Sequence, residues 1–435
     1  MNLRRNPERG GRTARPPKFQ HRADSHEQAH SQPSLSEQTR HQAHPLASTD
    51  RPQLVTRTDE LAELIQSLRS AGSFAYDSEF IGELTYLPRL CLIQAASATR
   101  IALIDPLADL DVRPFWELVA DPSIEKIVHA GLQDVEPVFR ALGKPPANLF
   151  DTQIAAGFTG VGYPLSLSKL VMTFVGARLG KGLTFSHWDH RPLTDHQLRY
   201  AADDVRYLPA ARHEIGKRLG DGERARWAKE ESAALADPSL HVFDPQTQWI
   251  KFRGASALPP LNQAILRQLT VWRDAAAQTE DVPPRTLLWD EILLDMARWP
   301  VESEQELSRI KGLPRPIESK YGAQIVEATK LAKASPPDHW PNLTVNEPSP
   351  EEKFRADCLF IAAQGLAAGQ GIDPALITSR QEIGEFYRIF TSGKIPENSR
   401  ILRGWRRQAV GQSLLDVLHG KSHIALHWKD GKLQI

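Results

Sequence analysis

Ile127-Val128-His129-Ala130-Gly131-Leu132-Gln133-Asp134 decides how this chain is read. An apolar run of strand character enters a glycine turn, and Asp134 falls in the first turn of the helix that follows, where the helix dipole favours a carboxylate. Upstream, residues 73–76, 89–95 and 100–104 have the composition of short strands, helped by Gly72, Gly82 and Pro106 at their boundaries. A helix is expected from Thr58-Asp59-Glu60 onward, with Leu61, Leu64, Ile65 and Leu68 at helical spacing. Further helical patterns lie around 112–120, 135–142 and 165–175. The pattern predicts one α/β domain over residues 53–232.

Beyond it the texture is helical. Leu261, Ile265, Leu269 and Trp272 share one helix face, residues 288–297 continue in the same style, and another helix is expected over 319–334. This region, 245–335, is followed by a linker at 336–350 rich in Pro, and then by helical patterns over 354–368, 382–390 and 399–418 within a last module, 351–435. At the other end, residues 1–52 hold Arg4, Arg5, Arg9, Arg12, Arg15, Lys18 and Arg22 amid Gly, Pro, Gln, Ser and His, with hardly any large apolar side chain. That composition predicts a disordered polar and basic tail, either merely solvated or a weak tether for RNA.

The whole chain has 435 residues, with 53 Lys+Arg against 53 Asp+Glu and therefore no formal net charge. A generic polyanion binder is not indicated, so any affinity for nucleic acid must come from local asymmetry. Two cysteines, Cys91 and Cys358, offer neither a disulfide framework nor a thiolate metal site. No apolar run reaches the roughly 20 residues that span a bilayer, and the N-terminus lacks a signal-peptide core. A reducing, cytoplasmic setting without membrane association is the expectation.

Three ordered acidic elements carry the chemistry. In Phe74-Ala75-Tyr76-Asp77-Ser78-Glu79, Asp77 and Glu79 project from the same face of a strand and can hold one cation. Asp134 supplies a second site; His129 beside it reads as a hydrogen-bonded structural histidine, and Asp151 as a helix N-cap. The third element begins at Thr194-Asp195-His196-Gln197, a capping box. In the helix it starts, Tyr200 and Asp204 stand at positions i and i+4 on one face, whereas Asp203 points elsewhere.

With these residues in this order, the chain resembles the ribonuclease D family, in the tyrosine-containing branch of the DEDD exonuclease superfamily. The family's Asp-x-Glu falls on Asp77 and Glu79, its central aspartate on Asp134, and its Tyr-x-x-x-Asp on Tyr200 and Asp204. Trp188-Asp189-His190-Arg191-Pro192-Leu193 resembles the family's Trp-x-x-Arg-Pro-Leu, preceded by Lys181; His187 departs from an acidic residue usual there. Residues 249–334 are similar to a helicase-and-RNase-D C-terminal (HRDC) domain, and the last 85 or so to a degenerate copy. The resemblance implies a ribonuclease H-like exonuclease domain, a mixed sheet flanked by helices, followed by two all-α HRDC-like domains.

For function it implies a 3′→5′ exoribonuclease, acting as a monomer, that trims RNA 3′ ends, tRNA precursors among them, and releases nucleoside 5′-monophosphates. Two Mg²⁺ or Mn²⁺ ions would be held by Asp77, Glu79, Asp134 and Asp204, with Asp77 between them; hard ions prefer such oxygen ligands. Tyr200 would orient the attacking water, because a free phenol with a pKa near 10 is a poor base at neutral pH. Lys181, Trp188 and Arg191 would meet the 3′-terminal nucleotides, and Lys251, Arg253 and Arg273 the RNA body. On that reading, deleting residues 240–435 raises KM on structured RNA more than on short oligonucleotides. The rivals are a DEDD-type DNA exonuclease and an RNA-binding scaffold that does not cut; a scaffold has no physical need for clustered, mutually repelling carboxylates.

Overall fold

The computed structural model describes residues 44–180, 182, 187–241, 243–343, 348–425, 427–429 and 432–434. Six strands form one mixed sheet: β1 (Gln53–Val55), β2 (Ser73–Ile81), β3 (Arg89–Ala96), β4 (Ile101–Ile104), β5 (Glu125–Val128) and β6 (Leu149–Asp151). Their order is β1-β4-β3-β2-β5-β6. β3 pairs antiparallel with β2 and β4, while β5 pairs parallel with β2 and β6. The meander β2-β3-β4 needs only short connections, and the parallel half is built through helical crossovers.

Helix α1 (Thr58–Ala71) buries Leu61, Leu64 and Leu68, the predicted stripe, and ends at Gly72, whose φ of 71° reverses the chain into β2. Helices α2 (Arg113–Val119) and α3 (Leu132–Leu142) complete that side: Phe115, Trp116, Val135 and Val138 pack with α1 against Phe74 and Tyr76 of β2. The opposite face of the sheet receives α4 (Thr152–Gly157), α5 (Leu167–Phe174), α6 (Asp195–Arg206), α7 (Leu208–Leu219) and α8 (Glu223–Ala233). Ala75 of β2 packs there with Ala202 and Val205 of α6. Because side chains alternate along β2, Asp77 and Glu79 follow Ala75 onto the α6 side.

Helices Pro260–Glu280, Asp290–Arg298 and Arg315–Ala334 enclose a separate core around Leu269, Leu293 and Ile325. This set meets the β2–β3 connection, where the Tyr86 hydroxyl donates to Asp274 Oδ1 at 2.8 Å and the Tyr86 amide to Asp281 Oδ1 at 3.1 Å. The later helices Pro350–Gly369 and Arg380–Thr391 and the segment around Trp405 share the core of α4 to α8. Within the stretch read as tail, Leu46 and Ala47 pack against that same core, and Arg206 Nη1 donates to the Ser48 carbonyl at 2.5 Å.

Candidate active site

β2 and β5 run side by side with Ala75 opposite Ile127, so the turn leaving β5 lies beside the level of Asp77. Gly131 is required in that turn, since a Cβ there would stand 2.5 Å from Val128 Cγ2. Asp151 holds the turn: its carboxylate accepts from the Gly131 amide at 2.9 Å while also capping α4 through Gln153 N and Ile154 N. His129 shares a 3.0 Å hydrogen bond with Thr152 Oγ1. Both residues are structural, in the roles their sequence positions indicated.

α6 starts at the capping box, with Thr194 Oγ1 accepting from Gln197 N and Gln197 Oε1 from Thr194 N. It brings Asp204 to β2, where single ligand oxygens of Asp77, Glu79 and Asp204 lie within 4.8 Å of one another. Asp134, 6% exposed, approaches from the other side. Its carboxylate accepts from Ser78 Oγ at 2.5 Å and lies close enough to Asp77 for the Asp77 charge to raise its proton affinity. Asp77 is thus the common neighbour of Glu79 and Asp204 on one side and Asp134 on the other. Asp203 is instead turned to Arg206, 2.9 Å away.

The electrostatics follow from crowding. Two like charges 4.8 Å apart repel by roughly 3 kcal/mol at an effective dielectric near 20, and among the described residues no Lys or Arg pairs with any of the four. Burial, then the charges of Asp204 and Glu79, drive Asp77 well above the carboxylate range. Burial and the Asp77 charge do the same to Asp134. Glu79 is pushed up to about 7 by burial and then Asp134, and Asp204 to about 8 by burial, then Glu79 and Asp203. Burial first, then the Asp204 charge, raises the Tyr200 phenol, which keeps its proton beside Asp204. A compact all-oxygen donor set without a protein cation fits hard divalent ions.

This crowding makes a pH prediction for the metal-free protein. The folded state raises Glu79 and Asp204 above the ordinary carboxyl values of 4.5 and 3.8, so between about pH 4 and 8 it binds more protons than the unfolded chain. Stability in EDTA is therefore expected to fall as pH rises through that window, by several degrees in Tm. Added Mg²⁺ displaces the protons, and its stabilisation should grow from pH 6 to pH 8. Thermal melts across pH, with and without the ion, check this; equal Mg²⁺ stabilisation at both pH values would contradict it.

The residues expected at the substrate are placed differently. Trp188 is 5% exposed, packed with Leu92, Leu103 and Ala201, its ring 6.3 Å from that of Tyr200. Arg191 forms a two-pronged ion pair with the buried Asp105 at 2.6 and 2.7 Å. It also donates to the carbonyls of Cys91, Trp188 and His190. Both side chains are committed to fixing the segment that enters α6. Lys181 lies outside the described residues. Arg273 is buried and paired with Asp290 at 2.8 Å, its charge engaged within the helical set, whereas Lys251 and Arg253 are exposed. Sequence reasoning missed Ser78 and Asp105. Strand alternation was the available signal for Ser78, which must point away from Asp77 and Glu79; nothing local marks Asp105.

Comparison with known proteins finds matches to both the α/β and the central helical regions of the chain. A 3′-5′ exonuclease family model matches residues 52–220, and an HRDC domain model residues 262–329. Ribonuclease D of Zymomonas mobilis is 34% identical over 391 residues, spanning 87% of this chain and 97% of that protein. The chain belongs to the ribonuclease D family. Ribonuclease D of Gluconacetobacter diazotrophicus is 32% identical over 373 residues, 85% of this chain and 93% of that one. Among solved structures, Escherichia coli RNase D, an exoribonuclease involved in structured RNA processing, superposes with a TM-score of 0.75 at 28% identity, covering 86% of this chain and all of that one. Membership of the ribonuclease D family makes this protein a hydrolase, a 3′→5′ exoribonuclease of a group that uses divalent metals. Among the described residues no helix is long and apolar enough to cross a membrane.

Proposed function

We propose that this protein, as a monomer, trims the 3′ ends of structured RNA, tRNA precursors in particular, releasing nucleoside 5′-monophosphates with the help of two Mg²⁺ or Mn²⁺ ions. The observation that carries the two-ion reading is the place of Asp77, grouped with Glu79 and Asp204 within 4.8 Å and with the buried Asp134 beside it. Asp77, Glu79 and Asp204 would hold one ion, and Asp77 with Asp134 the other. When bound, the ions stabilise charge on the attacking and leaving oxygens. Tyr200, whose phenol keeps its proton, positions the attacking water through its hydroxyl and does not act as a base. Trp188 and Arg191 act behind the site, holding the start of α6 so that Tyr200 and Asp204 stay aimed at β2. The structured-RNA substrate is supported by the likeness to the Escherichia coli enzyme across 86% of the chain.

The full chain with Mg²⁺ or Mn²⁺, offered 3′-tailed tRNA-like RNA and single-stranded DNA of equal length, is expected to shorten the RNA much faster. Equal or faster DNA hydrolysis would sink the substrate assignment. Tyr200→Phe should reduce kcat by about 10²-fold, the scale for a positioned proton-bearing group, with KM little changed. An unaltered kcat in the folded variant removes Tyr200 from the mechanism.

A further inference from the structure

The turn that leads into α6 carries a second ligand set, of different chemistry. His187, Asp189 and His190 each offer one ligand atom, all within 4.8 Å of one another. The two imidazoles are exposed and lie parallel, centroids 4.7 Å apart and planes 11° apart. Asp189 Oδ1 is shut off from solvent and has no hydrogen-bond partner among the described residues. A buried carboxylate oxygen without a donor is uncommon, and a bound ion is one of the few things that explains it.

The backbone beneath these side chains is fixed. The His190 amide donates to the His187 carbonyl at 3.1 Å, Gln197 Nε2 reaches the same carbonyl at 3.4 Å, and Arg191 bonds the carbonyls of Trp188 and His190 at 2.7 and 2.8 Å. Trp188, between the ligands in sequence, is buried against the sheet. Only the exposed rings need to move.

We infer that this turn binds one transition-metal ion of the zinc class through two imidazole nitrogens and one carboxylate oxygen, leaving a coordination position open to water or an outside ligand. Imidazole suits Zn²⁺, Co²⁺ and Ni²⁺, whereas Mg²⁺ and Mn²⁺ favour oxygen, so the all-carboxylate centre and this turn select different ions. Ligands bonded at about 2.0–2.1 Å in a tetrahedral site lie roughly 3.4 Å apart. The present separations close to that by side-chain rotations of about an ångström, which exposed rings make freely. A merely stacked histidine pair on the surface needs no carboxylate beside it, whereas one ion accounts for ligand atoms of His187, Asp189 and His190 converging.

The test uses the full chain carrying Asp77→Asn and Asp204→Asn, so that the carboxylate centre does not capture the added metal. Co²⁺ is titrated into it, following the visible d–d absorption, and Zn²⁺ is then used to displace the Co²⁺. The background protein is expected to bind Co²⁺ with nitrogen coordination. Adding His187→Ala and His190→Ala should weaken binding at least about tenfold and abolish the band. His187→Gln with His190→Gln, which keeps side-chain bulk, should give the same loss at an unchanged Tm. A loss smaller than tenfold in both pairs, or no band in the background protein, overturns the site.

Discussion

Asp77→Asn is expected to fold as the parent does and to lose RNA hydrolysis by about 10³-fold or more in kcat, above the loss from removing one preorganised polar group. Asp204→Asn should behave alike. The size follows from position: Asp77 stands among Glu79, Asp204 and Asp134, so neutralising it is expected to weaken the hold on both ions together. The same substitution relieves repulsion, because the Asp204 and Glu79 charges raise Asp77 through space beyond what burial does, and the Glu79 charge does the same to Asp204, and the group has no protein cation among the described residues. In EDTA at pH 8 the Asn variants should therefore melt no lower than the parent, whereas a structural cause of lost activity demands the opposite. Full metal-dependent activity in either variant removes the carboxylate cluster from catalysis. Loss of activity together with a lower Tm in EDTA at pH 8 shows instead that the side chain supports the fold.

Much of this site is legible in the sequence because its geometry is local. Asp77 and Glu79 share a face by strand alternation, Tyr200 and Asp204 by helical spacing, and Asp134 by its place in the first turn after a strand. Each follows from one element's periodicity. The meeting of the three elements is tertiary, and only the family resemblance supplied it beforehand. β1 and β6 went unread because each has three residues, too few for a period to show. Trp188 and Arg191 read as RNA contacts because aromatic and cationic side chains serve that purpose on surfaces; their burial depends on Asp105 and the β3–β4 face, far away in the chain. Arg273 misleads in the same way, its partner Asp290 lying on the next helix. Periodicity says which face a residue occupies, and not whether that face is covered.

A chain ending at residue 240 is expected not to form a stable nuclease domain, although it contains every residue of the carboxylate site. Trp405, 1% exposed, lies edge-on to Phe158 with centroids 4.7 Å apart and donates its indole N–H to Glu231 at 2.7 Å. Arg406 pairs with the same carboxylate at 2.6 Å. Burial alone would raise Glu231, but Arg406, Trp405 and Arg400 bring it below its ordinary value. Leu376 sits so close over Gly157 that a Cβ there would be 2.6 Å from its Cδ1, and the Asp373 carboxylate takes the Tyr163 amide at 2.9 Å. Trp405→Ala alone should cost about 3–5 kcal/mol, against a total domain stability of about 5–15 kcal/mol; truncation also strands Glu231 in a half-buried site without its arginines. The central helices differ, having a core of their own. Truncation at 240 therefore does not isolate RNA grip from catalysis: activity on a short oligonucleotide should fall along with activity on structured RNA, in proportion to the unfolded fraction. Should the truncated chain melt as the full protein does and cut short oligonucleotides at the full rate, the C-terminal helices would be an appendage, and their contacts with α4 and α8 would contribute nothing to the fold.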